Sequence, residues 1–264
     1  MDWGKLNRMS SILNSKSGNT VMLAIDHGYF QGPTTGLKNP EETVKMLLPY
    51  ADCLFATRGI LRNVVDANTR VPVFLRVSGG TSILGELSNE DIHVSIKEVL
   101  RLNAAGAGIS IFVGAQNEDR TLGNLSRFVN EAQEYGIPVL AITAVGREMN
   151  RDARYLGLAC RIAAELGADM VKTYYCDDFE SVVKSCPIPI VIAGGKKIPE
   201  RDALEMSRNA IDAGAIGVDM GRNIFQSESP TAMIQAVRAI VHEGAAVEEA
   251  YDLYNKLHDG KKLD

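Results

Sequence analysis

Residues 168–175 read ADMVKTYY, an apolar run with a lysine, Lys172, at its centre. Side chains alternate along a strand, so Met170, Lys172 and Tyr174 share one face. Burying an amine is costly, so this run asks for a fold whose strands lead into a functional site. Seven similar runs lie outward from it, at residues 20–26, 51–58, 71–78, 107–114, 137–146, 189–195 and 215–221. Each is short, mostly rich in Val, Ile, Leu or Phe, and closed by Gly, Arg or Asp. Near-continuous apolar runs suit parallel strands covered on both faces. Amphipathic stretches fill most of the gaps. Residues 89–103 carry Ile92, Ile96, Val99 and Leu100 along one stripe, and 121–135, 151–166, 179–185, 200–213 and 231–242 behave alike. Pro199 and Pro230 stand where first helical turns are expected, and Gly136, Gly167 and Gly214 where helices end. Eight strand–helix units in 264 residues predict an α/β protein, a single-domain (β/α)8 TIM barrel over residues 1–264. A further helix is expected around 245–257. A doubly wound sheet is the competing fold, but the first strand ends in Asp26-His27-Gly28 rather than in a G-x-G-x-x-G turn.

Composition narrows the function. The chain is 45% hydrophobic and 23% charged, which excludes a disordered protein. A net charge of −5 and a pI of about 5.5 disfavour a nucleic-acid partner. No run approaches the roughly 18 apolar residues of a membrane helix, and residues 1–17 lack the apolar core of a signal peptide. A cytoplasmic protein with no membrane partner is expected. Cys53, Cys160, Cys176 and Cys186 form no C-x-x-C pair and read as buried or idle thiols. No cluster of His, Asp and Glu has the spacing of a metal site, so no metal is expected.

In a barrel the active site lies at the C-terminal ends of the strands. There stand Asp26-His27, Arg58, Ser78-Gly79-Gly80, Gly114, residues 143–146 and 172–175, Gly194-Gly195-Lys196-Lys197 and Gly221-Arg222. Partial desolvation and nearby cations favour the neutral, nucleophilic form of the Lys172 amine. The plainer reading is a structural ion pair, with Asp26 as a candidate partner. Gly194-Gly195 and Gly221-Arg222 follow the seventh and eighth strands, where barrels bind phosphate. Glycines there admit backbone N–H groups to the oxygens, and Arg222 adds a forked contact. Lys196 and Lys197 add charge or are simply solvated. His27 could move a proton near pH 7, or serve as a hydrogen-bonded structural residue. His93, His242 and His258 fall on expected helices or the tail.

These residues carry a resemblance. DHG at 26–28, VKT at 171–173, AGGK at 193–196 and GVDMGRN at 217–223 together resemble the class I, Schiff-base aldolases of the archaeal fructose-bisphosphate aldolase type. Longer strings, LAIDHGYFQGPTTGL at 23–37, TRGILRNVV at 57–65, VIAGGKK at 191–197 and VDMGRNIFQS at 218–227, are similar to one branch, the autoinducer-2 processing thiolases. The likeness runs from Asp2-Trp3-Gly4 to about Tyr254. It implies transfer of an acetyl group from 3-hydroxy-5-phosphonooxypentane-2,4-dione to coenzyme A, giving dihydroxyacetone phosphate and acetyl-CoA in autoinducer-2 degradation. Lys172 falls on the imine-forming lysine, Asp26 on the aspartate after the first strand, Gly194, Gly195 and Gly221 on the phosphate-binding backbone, and Arg222 on its arginine. Coenzyme A would be a co-substrate, with no permanently bound cofactor and no Cys acyl-enzyme, and the assembly a homodecamer. The chain shows no coenzyme A motif. Sugar aldolases of this type carry a catalytic Tyr in Tyr-Pro-Arg after the fifth strand, where this chain has Ala144-Val145-Gly146-Arg147. Proton transfer would then fall to His27, the preferred residue, or to Tyr174. The alternatives are a class I aldolase or transaldolase-type synthase acting on a phosphorylated sugar, and a non-catalytic phosphosugar-binding barrel.

Overall fold

A computed structural model describes residues 2–145 and 151–260; Gly146 and Arg147 lie outside the described residues. Eight strands form a closed parallel barrel: β1 (Thr20–Ala24), β2 (Cys53–Thr57), β3 (Val73–Arg76), β4 (Gly106–Val113), β5 (Val139–Val145), β6 (Met170–Tyr174), β7 (Ile190–Ala193) and β8 (Gly217–Met220). They pair in chain order, and β8 closes on β1 with Thr20 opposite Gly217. The expected barrel is therefore present.

Alternation sorts the side chains. Val171, Val218 and Met220 join the outer core beneath the helices, whereas Met22, Phe55, Phe74, Met170 and Val191 fill the interior. Two interior phenylalanines need glycines opposite them. A Cβ on Gly108 would fall 2.2 Å from the Phe55 ring, and one on Gly106 would fall 2.3 Å from Phe74. Ile12, fully buried behind the helix Trp3–Ser11, joins the same interior cluster.

Helices cover the outside. Glu118–Glu134, Ala153–Glu165, Phe179–Ser185 and Glu200–Asp212 lie within a few residues of their expected bounds. Gly136, Gly167 and Gly214 adopt φ of 60°, 92° and 102° just past helix ends, the left-handed region where a glycine carries no Cβ penalty. Pro230 opens its helix, while Pro199 precedes Glu200–Asp212 as its cap rather than lying in the first turn. Helix Pro230–Arg238 passes into a π turn over Ala239–Glu243, and the last helix is Val247–Gly260. Among the described residues no helix is long and apolar enough to cross a membrane.

One expectation fails. Residues 89–103 are not a single helix: Glu90–Ile92 pairs antiparallel with Ser78–Gly80 as a ribbon, and only Ile96–Arg101 is helical. Ser95 caps that helix by accepting from Glu98 N, and Ile92 belongs to the ribbon. The carboxyl groups at the opposite end of the barrel are structural. Asp52 accepts from Val21 N, Arg238 and His242, and Asp169 pairs with buried Lys5 at 2.8 Å.

Candidate active site

The strands open at their C-terminal ends into a cavity of about 440 Å³. Its lining includes Asp26, His27, Arg76, Glu90, Lys172, Tyr174, Gly194, Gly195, Asp219, Gly221 and Arg222. Every residue singled out for catalysis or phosphate binding in the sequence thus meets in one place.

Lys172 is at the floor. Its partner in register on β7 is the interior Val191, so the amine points inward. Nζ stands 2.8 Å from Oδ2 of Asp219 and 5.2 Å from the centre of the Phe55 ring. Asp219 is the inward residue of β8 and its side chain is fully buried. Burial pushes its carboxyl up to about 6, with the Lys172 charge acting against that rise.

Asp26 is not the partner of Lys172. Its Oδ2 accepts from Arg76 Nη1 at 3.1 Å, and Arg76 also donates to both Glu90 oxygens at 2.9 Å. Tyr29 hydroxyl donates to Glu90 at 2.6 Å, as does Ser78 hydroxyl at 2.7 Å, and the guanidinium lies 4.4 Å from the Tyr29 ring centre. The displaced ribbon is thus explained in part: it brings the Glu90 carboxylate to the guanidinium N–H donors of buried Arg76 that Asp26 leaves free.

The two glycine loops border the same cavity. Gly195 has φ of 69°, and no atom comes within 4 Å of where its Cβ would be, leaving its backbone open. Asn223 donates to Gly194 O at 2.6 Å and accepts from Ile198 N at 2.9 Å, which ties the first loop to the second. Arg222 begins the short helix Arg222–Phe225 and lines the cavity. Its buried Nε has no hydrogen-bond partner among the described residues, and burial holds its pKa below the usual arginine range. Lys196 and Lys197 do not line the cavity, and Lys197 is committed to Glu200 at 2.9 Å.

His27 differs from its expected chemistry. Burial, opposed by Asp26 and aided by the charges of Lys172, Arg222 and Arg76, lowers its pKa to about 4. The ring packs edge-on against Phe225, with Nδ1 3.8 Å from Asp26. It is a neutral imidazole at pH 7, not a group titrating there. Tyr174 lines the same cavity, with the Arg151 guanidinium 3.8 Å from its ring centre. Ala144 lines the wall at the end of β5.

The sequence reading missed Asp219, Arg76, Glu90 and Tyr29. A signal for Asp219 existed, namely a charge at the inward position of an apolar run, the same reasoning that singled out Lys172. Glu90 had none, because its region read as helix. No group of three or more metal-ligating side chains occurs among the described residues.

Comparison with known proteins agrees with this geometry. The profile of the DeoC/LacD family aldolases matches residues 20–227. A 3-hydroxy-5-phosphonooxypentane-2,4-dione thiolase of Enterobacter sp. is 53% identical over 99% of this chain and 89% of its own length. An uncharacterized aldolase of Pasteurella multocida is 54% identical over 96% of this chain and 88% of its own. A solved archaeal fructose-1,6-bisphosphate aldolase, its catalytic Lys covalently bound to a carbinolamine intermediate, is 26% identical with a TM-score of 0.81, over 90% of this chain and 99% of its own. With a lysine at the cavity floor, two glycine loops beside it and identity above one half to such relatives, the chain belongs to the DeoC/LacD family of aldolases, in the branch that holds the 3-hydroxy-5-phosphonooxypentane-2,4-dione thiolases.

Proposed function

We propose that the protein is an acyltransferase of thiolase type working through a lysine Schiff base. Its substrate is 3-hydroxy-5-phosphonooxypentane-2,4-dione, its acyl acceptor is coenzyme A, and its products are dihydroxyacetone phosphate and acetyl-CoA. The observation that carries this reading is the inward Lys172 amine beside loops fit for a phosphate. Arg222 and the backbone of Gly194, Gly195 and Gly221 hold the phosphate and so place the adjacent C4 carbonyl toward Lys172. An imine at C4 is an electron sink for the C2–C3 bond, because C3 lies alpha to it. The thiolate of coenzyme A adds to C2, the C2–C3 bond breaks, and its electron pair forms the enamine on Lys172. Protonation at C3 and hydrolysis of the imine release dihydroxyacetone phosphate.

The proton for C3 is assigned to Tyr174 rather than His27, since burial keeps His27 neutral down to about pH 4. A neutral imidazole can still orient a carbonyl oxygen by hydrogen bonding. Asp26, anchored by Arg76, positions the substrate's hydroxyl. All four cysteines have thiol pKa values raised by burial, which supports direct transfer to coenzyme A. The protein acts in autoinducer-2 degradation, inside the cell, as a homodecamer.

Borohydride trapping with dihydroxyacetone phosphate, read by mass spectrometry, should attach the substrate at Lys172. A coupled assay should find acetyl-CoA from the phosphorylated diketone. Trapping elsewhere, or aldol cleavage of a sugar phosphate without acetyl-CoA formation, sinks the reading.

A further inference from the structure

Asp219, 2.8 Å from the Lys172 amine, takes no part in the carbon–carbon cleavage itself. We infer that Asp219 is the catalytic base of imine formation: it takes a proton from the Lys172 ammonium and returns it to the carbinolamine hydroxyl, which leaves as water. The inference deepens the proposed function and rests on its Lys172 imine.

The placement comes from alternation on two strands. Lys172 is an inward residue of β6 and Asp219 an inward residue of β8; on β7 between them Lys172 lies opposite Val191 and Asp219 opposite Ala193, two residues further toward the strand's C-terminal end. Their charged atoms meet at 2.8 Å. No described group other than Lys172 offers Asp219 a proton at hydrogen-bonding distance. The charged and titratable groups facing the pair are Asp26, Arg76, His27 and the Cys53 thiol. Asp26 is held by Arg76, His27 is neutral, and Cys53 is fully buried with a raised thiol pKa. Asp219 is therefore the uncommitted base within reach of the nucleophile.

The carboxyl is fitted to hold a proton near neutrality, since its pKa is pushed up to about 6 by burial. The steps balance. Lys172 ammonium and Asp219 carboxylate become amine and carboxylic acid. The amine nitrogen bonds to the ketone carbon as the C=O π bond breaks, and an amine proton passes to the oxygen, giving the carbinolamine. Its hydroxyl takes the Asp219 proton and departs as water, leaving a protonated imine beside a carboxylate. The charge pair present at the start is present again at the end, so no net charge is buried in the cycle.

The test is the rate of borohydride trapping of dihydroxyacetone phosphate by the full chain between pH 5 and 9. In the parent, trapping should hold steady above about pH 7 and fall below pH 6 as Asp219 becomes protonated. In Asp219→Asn it should be at least ~100-fold slower at pH 7, within the range of a general base, and rise with pH. In Asp219→Ala, added formate should restore part of the rate. A parent rate that climbs steadily from pH 6 to 9 overturns the proposal without any variant. So does Asp219→Asn trapping at or above the parent's rate, which would mean that Asp219 only restrains the ammonium. A parent that never traps the substrate fails the Schiff-base reading itself, a separate outcome.

Discussion

Lys172 Nζ stands 2.8 Å from Asp219, and that contact governs what removal of the amine does. Lys172→Met keeps most of the side-chain volume and deletes the amine. It also leaves Asp219 unpaired, a change that would be severe for a fixed buried charge. Asp219 escapes by staying protonated, because its carboxyl already sits near 6 with the amine present. The variant should therefore fold, trap no substrate and make no acetyl-CoA, while still binding phosphorylated ligand. Acetyl-CoA formation at a substantial rate would count against the imine. Arg222 is tested separately, by equilibrium binding. Arg222→Ala should weaken the phosphorylated substrate by about 1.5–3 kcal/mol, the range for a hydrogen bond to a charged group, and leave its dephosphorylated analogue nearly unaffected. Equal losses for both ligands would show that Arg222 does not hold the phosphate.

At the scale of an element, the two glycine loops meet different constraints. Gly221 needs its missing Cβ for space: that atom would fall 2.4 Å from Ala24 O and 2.4 Å from the His27 ring. The carbonyl belongs to β1, whose neighbours on both sides hold it in place. Gly195 needs its glycine for backbone angle, at φ of 69° with open space around it. Gly221→Ala should lower stability by about 1–3 kcal/mol through overpacking and displace the loop that carries Arg222. Gly195→Ala should cost about 1–2 kcal/mol through its left-handed angle, with the barrel unchanged. Urea unfolding checks both. Substrate binding separates them further, since Gly221→Ala should also lose phosphate affinity through the displaced Arg222. A Gly221→Ala protein as stable as the parent and of equal affinity would refute the packing account.

The whole molecule answers pH through groups buried at the barrel mouth. His27 drops from an ordinary 6.5 to about 4 on folding. Between those values the unfolded chain binds a proton there and the folded chain does not, so this group's contribution is present above pH 6.5 and lost as pH falls toward 4. The loss amounts to roughly 3 kcal/mol. Asp219 works the other way across an overlapping range, because its folded pKa is raised to about 6 and its proton favours the folded state. The parent's own profile therefore mixes two opposed slopes, and the difference between parent and variant is the informative quantity. His27→Gln should remove the acid-side loss, so that its stability relative to the parent rises as pH is lowered from 6.5 to 4.5 in urea titrations. A difference independent of pH would mean that the imidazole is not buried neutral.

Alternation of apolar runs with amphipathic stretches was enough to determine the barrel, since eight strand–helix units leave few other closed arrangements. Strand parity likewise placed Lys172 inward, and glycines after the seventh and eighth runs marked the two loops that line the cavity beside it. Period and parity are local properties, readable one element at a time. Pairing across the barrel is not. Which carboxylate faces Lys172 depended on how β6 and β8 register through β7, and the answer was Asp219 rather than Asp26. Arg76 captured Asp26 from β3, and its remaining N–H donors hold Glu90 in a ribbon where the spacing of Ile92, Ile96 and Val99 predicts a helix. His27 kept its position but lost its expected protonation, because its burial comes from the packed mouth as a whole. Local sequence determined the elements and the strand-end residues. Tertiary structure decided the charge partners and proton affinities, because desolvation and Coulomb energy depend on what lies within a few ångströms in space, not on what lies nearby along the chain.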